Sequence, residues 1–520
     1  MTTSKSRIEL EMFEVGLGSS IYLRLRRSDG DLRILADGGV GQGYRLGHVQ
    51  SKVADLLKHE DASRLDLVIG THYDEDHLRG LKPILDSPIE VGELWLPPVI
   101  DDTIEVVGDA MPRDGELLGV RLAEDQDYLA RYLDIKVAAI RMCREVELAL
   151  GTDSERRDFS DLGAPIQVDG PELLQRLRSE FAAGASDARN DDGCEHVGDA
   201  DVLEEAYPHR FHQFLSSSDY LWALGRIHRA SEHLSFANFL RSRGQHSAAA
   251  FSIARIRDGA AKDAINAIAL NDLVQAAKRK KIDICYRHIQ KGRPNVFHWV
   301  ASDRRFIRGG SSSPDAILMT LLGPSTSLIV KHANRLPVNE SITLAMMSRI
   351  PVKSISPSNQ LSYVMKIEHA EQAMLICGDS GFSDFMVTRH VAEPLMLAEL
   401  QRLNVIQVAH HGGNNQWFYP VLVEAWKDRA APVPIMLLSH AHEDRHRPNK
   451  QFEQFVEEVA ADSDERFVVF TSKPRPDRIE AFRDKVMRPV GTVSRVGDVR
   501  LQFASGRWEL SRHAIDVESD

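Results

Sequence analysis

The sequence predicts an α+β fold in which two strand-bearing parts, residues 1–100 and 279–520, are separated by a large, mainly helical insertion, residues 101–278. Three observations carry this. The first hundred residues contain short alternating runs broken by Gly- and Asp-rich turns, the pattern of half-buried strands. From Leu117 to about Leu150, and again over residues 211–277, apolar residues recur at helical spacing. From Ile282 onward short apolar runs return, each bounded by polar turns.

Taken in order, Ile8–Val15, Ile21–Leu25 and Arg33–Ala36 read as strands, joined by the turns Gly16-Leu17-Gly18-Ser19-Ser20 and Ser28-Asp29-Gly30. Val49, Val53, Leu56 and Leu57 mark an amphipathic helix. Leu65–Gly70 is a short apolar run read as a buried strand, Leu81–Leu85 a short helix, and Val91–Leu96 a strand ended by Pro97-Pro98. Within the insertion, residues 151–170 are polar, 172–181 form a helix, and 186–205 are acidic and solvated. Further strands are expected at 282–286, 295–300, 317–322, 361–367, 373–377, 404–409, 435–438, 467–470 and around 493–503.

The chain has 520 residues, 43% hydrophobic and 27% charged, ordinary for a globular protein with ample material for a core. A net charge of −12 argues against a general nucleic-acid coat while leaving room for a local basic groove. Cys143, Cys194, Cys285 and Cys377 lie far apart, without metal-ligand spacing or the look of a disulfide framework, which fits a reducing compartment. Met1–Glu11 holds no signal-peptide core, and no run approaches the roughly 20 apolar residues that span a bilayer. The expectation is a soluble, cytoplasmic protein with no membrane partner.

Chemistry concentrates at strand ends. Immediately after Leu65–Gly70 comes Thr71-His72-Tyr73-Asp74-Glu75-Asp76-His77, four metal-capable side chains within six residues. Mixed imidazole and carboxylate donors suit borderline cations such as zinc or manganese. The same arrangement follows three later strands: Asp379, then His410-His411, then His440 to His446. Each alone is a common turn or surface pattern. Together they describe ligands converging on one edge of an apolar sheet.

In order and type these motifs resemble the metallo-β-lactamase fold, and more narrowly the subgroup typified by the hydrolase domain of the competence protein ComEC. The resemblance rests on Val15–Ser20, Leu35-Ala36-Asp37-Gly38-Gly39, the His-x-Asp-x-Asp-His of His72, Asp74, Asp76 and His77, Asn359 to Ser362, Gly378-Asp379, His410-His411-Gly412, and His446 near Pro448. Arg79-Gly80 stands where the subgroup has Gly-Gly, and Arg447 interrupts the final His-Pro. The likeness covers residues 8–100 and 280–505. It implies a metallo-β-lactamase-type αββα sandwich holding one or two divalent metal ions, zinc or manganese. His72 and Asp74 would hold the first metal, Asp76 and His77 the second, with Asp379 between them and His410 and His446 completing the ligands. Which of His410 and His411 coordinates is left open; the other, taken as His411, orients a ligand or gives a proton to the leaving group. Asp37 is expected to support the loop. Asp76 and His411 are the expected catalytic pair.

The expected activity is hydrolysis of a phosphodiester by metal-activated water, nucleic acid first and single strands favoured. The basic stretch from Lys278 to Arg308 supplies the candidate backbone contacts Lys280, Lys281, Arg287, Arg304 and Arg305, with aromatic residues interleaved. A small phosphodiester or nucleotide is the second substrate class. A third reading makes the chain a subunit of a multiprotein complex, a defence complex among the candidates, docking a protein partner through the helical insertion.

Overall fold

The computed structural model describes residues 7–39, 45–101, 111–136, 246–313, 315–333, 357–388, 390–427, 432–460, 464–487 and 497–511. The polar, helical and acidic stretches expected between 151 and 245 lie outside these residues, as does the helical run from 137 to 150. The chain divides into two units. One comprises Met1–Val99, Asp272–Lys331 and Pro357–Asp520, the other Ile100–Asn271 and His332–Ser356. No helix among the described residues is long and apolar enough to cross a membrane.

The first unit is mixed α+β and holds two eight-stranded sheets. One sheet contains β1 (Ile8–Met12), β2 (Ile21–Leu25), β3 (Leu32–Ala36), β4 (Arg64–Ile69), β5 (Glu90–Leu96), β6 (Asp283–Tyr286), β17 (Val499–Ala504) and β18 (Arg507–Ser511), in the order β18-β17-β1-β2-β3-β4-β5-β6. The other contains β7 (Asn295–Val300), β8 (Arg305–Arg308), β9 (Leu318–Gly323), β10 (Val364–His369), β11 (Gln372–Ile376), β14 (Val405–Gln407), β15 (Ile435–Leu438) and β16 (Val468–Phe470), in the order β16-β15-β14-β11-β10-β9-β7-β8. A two-stranded ribbon, β12 (Met386–Thr388) with β13 (Val391–Ala392), stands apart.

Each sheet has an antiparallel part and a parallel part. Strands β1, β2 and β3 form an antiparallel meander, after which β3, β4, β5 and β6 run parallel. Likewise β7 to β11 pair antiparallel, while β11, β14, β15 and β16 run parallel. Parallel neighbours present all their C-terminal ends on one edge, where loops carrying function collect. Side chains from both sheets share one hydrophobic core. Trp95 of the first sheet packs edge-on against Phe297 and Phe306 of the second, with ring centroids 5.3 and 5.9 Å apart.

Helix α1 (His48–His59) buries Val49, Val53 and Leu57, one stripe at four-residue spacing. After β4 come a single helical turn, α2 (Glu75–Leu78), and α3 (Leu81–Asp86). Gly38 and Gly80 touch backbone to backbone: a Cβ at Gly80 would lie 2.1 Å from the Gly38 carbonyl oxygen. That contact seats α2 and α3 against the end of β3 and accounts for glycine at both positions.

In the second unit the described residues include the helix Leu118–Glu124 and the helix His246–Lys280 as far as Asn271. Leu118, Leu122, Tyr132, Leu133, Ile265 and Ile268 are buried, and Lys136 pairs with Asp263 at 3.0 Å.

Candidate metal centre

The loops that follow three of the parallel strands bring their polar residues together. His72 to His77 follow β4, Asp379 follows β11, and His410 and His411 follow β14. Two sets of donor atoms lie within metal-binding range of one another: His72, His77 and Asp379, and Asp76, His77 and His411. His77 is common to both sets, and Asp379 faces histidines of both. Its Oδ1 stands 3.5 Å from His77 Nε2 and 3.4 Å from His411 Nε2, and its Oδ2 stands 3.9 Å from His72 Nε2. Asp74 Oδ2 is 3.8 Å from His72 Nε2. Asp76 Oδ2 is 4.0 Å from both His77 Nε2 and His411 Nε2. Asp76 is also the most open of these groups, its side chain 28% exposed against 6% for Asp379.

Each histidine in these sets commits Nδ1 to the protein. His77 Nδ1 donates to Asp37 Oδ2 at 2.8 Å. Thr71 donates both its N–H and its hydroxyl to Asp37, at 2.7 Å each, which leaves Thr71 Oγ1 to accept from His72 Nδ1 at 3.1 Å. His411 Nδ1 donates to the Ser439 carbonyl at 3.1 Å. The opposite nitrogens, Nε2 of His72, His77 and His411, are buried without a hydrogen-bond partner, as is Asp379 Oδ1. Native proteins leave few buried polar atoms unsatisfied, because each costs about 1–3 kcal/mol. Three imidazole nitrogens and a carboxylate oxygen that converge in this way could hold a cation, and a carboxylate behind the histidine is the usual support for a metal ligand. The residues therefore fit a divalent metal.

The electrostatics agree. Burial by itself would raise the Asp379 carboxyl, but the imidazoles of His411, His77 and His72 hold it far below the usual carboxylate range. Burial, followed by the charge on His77, lowers His72 to about 4. His77 moves the other way: burial opposes its charge, yet Asp37 and then Asp379 outweigh it and raise its pKa to about 10. With Nδ1 already bonded to Asp37, the extra proton sits on Nε2, where a cation would bind. Burial pushes His411 well below the ordinary imidazole value.

The backbone is strained where the ligands are aimed. Asp37, His410 and His411 adopt φ of 61°, 54° and 55°. The left-handed region costs an L-residue roughly 1–2 kcal/mol and concentrates at functional sites.

Of the seven metal ligands read from sequence, His72, Asp74, Asp76, His77 and Asp379 meet here. His410 belongs to neither set. It follows β14 as His411 does, but its Nδ1 donates to the Asn414 carbonyl at 3.0 Å, while His411 reaches Asp379. Of the pair left open by the sequence, His411 is the one whose Nε2 lies 3.4 Å from Asp379 Oδ1. His446 is exposed and outside both sets. Asp444 Oδ1 accepts the backbone N–H groups of His446 and Arg447, a turn that sends Arg447 inward to pair with Asp444 at 3.2 Å and His446 outward.

The basic stretch divides. Lys280 Nζ donates to the carbonyls of Ser87 and Ile89, just before β5. Arg304 bonds Asp66, near the start of β4, with Nε 2.9 Å from Oδ1. Lys281 precedes β6, and Arg305 opens β8 beside Val300. These four lie toward the N-terminal ends of β4, β5 and β6, the edge opposite the metal loops. Arg287 alone follows β6 onto the metal edge, where its N–H donates to Tyr363 Oη at 2.9 Å and Tyr363 N–H donates to the Thr71 carbonyl at 2.7 Å. Its guanidinium lies over Trp95 and Phe297, 5.0 and 5.5 Å from the ring centroids.

Sequence reading missed the direct bond from Asp37 to His77 and the roles of Gln407 and Ser439. A polar Gln407 inside Val405-Ile406-Gln407-Val408 was the available signal, since a buried polar side chain needs a partner. No protein-family model and no curated protein matches this chain.

Proposed function

We propose that the chain is a metal-dependent phosphodiesterase of the metallo-β-lactamase type, an αββα sandwich with a helical insertion, with nucleic acid as the first substrate to test. The observation that carries it is the convergence of His72, His77 and His411 Nε2 with Asp379 Oδ1, all buried and unsatisfied. One or two zinc or manganese ions would be held by His72, Asp74 and Asp379 on one side and by Asp76, His77, His411 and Asp379 on the other. When bound, the metal supplies Lewis acidity that readies water for attack near neutral pH and offsets charge on a phosphoryl oxygen.

The remaining work falls to the side chains. Asp379, ionised by its histidine surroundings, is too weak a base to take a proton. Asp76, the carboxylate open to solvent, takes it from the attacking water. Asp37 and Ser439 hold the imidazoles with Nε2 inward. Arg287 is the cation on the same sheet edge for a substrate phosphate. Placement of Lys280, Lys281, Arg304 and Arg305 on the far edge favours a second reading, a small phosphodiester or nucleotide that needs no extended backbone track.

The test compares wild type with Asp76→Ala on single- and double-stranded DNA, RNA and a chromogenic phosphodiester, with manganese or zinc. We expect hydrolysis that falls at least about 100-fold in the variant. Hydrolysis unaffected by Asp76→Ala would overturn the mechanism.

A further inference from the structure

The turn at Gly18-Ser19-Ser20, before β2, carries none of the metal donors, yet four parts of the centre rest on it. Ser20 Oγ donates to the Asp37 carbonyl at 3.0 Å. Gly18, at φ +111°, lies under Asp76: a Cβ there would be 2.3 Å from the Asp76 carbonyl oxygen. The Gly18 carbonyl accepts from Ser439 Oγ at 2.6 Å, and Ser439 in turn accepts from His411 Nδ1. Ser19 Oγ accepts from Gln407 Nε2 at 2.8 Å. The other end of that amide faces the Asp379 turn. Gln407 Oε1 accepts from the N–H groups of Cys377 and Gly378, at 3.0 and 3.1 Å, the two peptides that lead into Asp379. Gln407, Ser19, Ser20 and Ser439 are all buried.

We infer that Gln407 is a positioning residue for the metal centre, tying the Asp379 turn to the Gly18–Ser20 turn beneath Asp76. This rests on the metal reading above. A hydrophobic core tolerates a buried amide when all its hydrogen bonds are made, and such a network then specifies one geometry. Gln407 uses its oxygen twice and one of its two amide N–H groups, linking two loops that are far apart in the chain. Asp379 touches three histidine nitrogens within half an ångström of equal distance. A shift of its turn by that amount would change its distances to all three histidines, and partners one step removed from a metal change affinity by about 10–100-fold.

The experiment measures cobalt(II) affinity by chelator competition, together with the visible absorption of the cobalt-loaded protein. It uses wild type, Gln407→Met, Ser19→Ala, the double variant, and Ile406→Val as a packing control on the same strand. Gln407→Met is expected to weaken cobalt binding about tenfold or more and to change the absorption spectrum. Ser19→Ala should do so less strongly, and the double variant should match Gln407→Met alone, because both remove one shared bond. Ile406→Val should lower stability slightly and leave affinity and spectrum as in wild type. Folded Gln407→Met with wild-type affinity and spectrum overturns the inference, and so do additive effects. Should Gln407→Met fail to fold, Ser19→Ala decides: unchanged affinity and spectrum overturn it. Wild type that takes up no cobalt overturns the metal reading and this inference together, whereas a binding wild type with indifferent variants removes this inference alone.

Discussion

The two ends of β4, β5 and β6 are built from similar charged residues and handle them differently. At the N-terminal edge, cations meet partners: Arg279 pairs with Asp86 at 2.9 Å, Arg304 with Asp66, and Lys280 with backbone carbonyls. At the C-terminal edge, imidazoles and a carboxylate are buried together with their inward atoms unsatisfied. Paired charges close a surface. Unsatisfied donors held in place by Asp37, Thr71 and Ser439 keep a site ready for an ion. Residue type alone does not separate the two edges; what distinguishes the C-terminal edge is that its atoms without hydrogen-bond partners converge within metal-binding range.

The largest effect expected from breaking this contrast is at Asp379. Asp379→Ala deletes the carboxylate that faces His72, His77 and His411 together, so retained metal should fall by more than the roughly 100-fold typical of supporting residues. Metal content by mass spectrometry after dialysis checks it, with circular dichroism confirming the fold. Retention equal to wild type would mean that Asp379 is not a ligand.

A smaller effect comes from pH. His77, raised to about 10, must lose its Nε2 proton before a metal can bind. Affinity should therefore climb about tenfold per pH unit across neutrality and flatten near pH 10. The stability of the metal-free protein runs the other way. A histidine raised on folding stabilises fully below its unfolded value near 6.5, and that contribution is lost as pH rises toward 10. His72, lowered to about 4, has the opposite sign: between about 6.5 and 4 the unfolded chain takes up a proton that the folded chain refuses, so acid destabilises the fold. Metal-free protein should show a stability maximum near pH 6.5, by denaturant unfolding. Titration calorimetry in buffers of different ionisation enthalpy should show proton release on metal uptake at pH 7. Uptake without proton release would contradict the charged state of His77.

How far the sequence carried the reading depended on whether the decisive interaction was local. A strand such as Asn295–Val300 was legible because alternation along one segment encodes a buried face. His72, Asp74, Asp76 and His77 were legible because their density within one loop has little packing rationale. The choice between His410 and His411 was not, since both adopt left-handed backbone and their directions depend on contacts with Asn414 and Ser439. His446 misled because Asp444 decides which of its neighbours turns inward. The basic run divides for a topological reason. Nearness in sequence places Lys280 and Arg287 side by side, but β6 lies between them and carries them to opposite edges of the sheet.

That separation yields the smallest effects and the sharpest test of the contrast. Arg304→Ala removes a charge-assisted bond from buried Asp66 and should cost about 1–2 kcal/mol of stability by chemical denaturation, with kcat unchanged. Lys280→Ala with Lys281→Ala should leave kcat and KM unchanged for a small phosphodiester, because both residues stand at the far end of β6 from the metal loops. The informative arm is a long single strand. If the far edge guides a polyanion, the double variant raises KM for the strand and flattens its salt dependence, each lost phosphate contact removing about 0.7 from the slope of log affinity against log salt. On the geometry described, the slope stays as in wild type, while Arg287→Ala raises KM for both substrates. A salt slope that drops with the lysines would show that the nucleic acid wraps past the sheet edge, and would make the paired edge part of the binding surface after all.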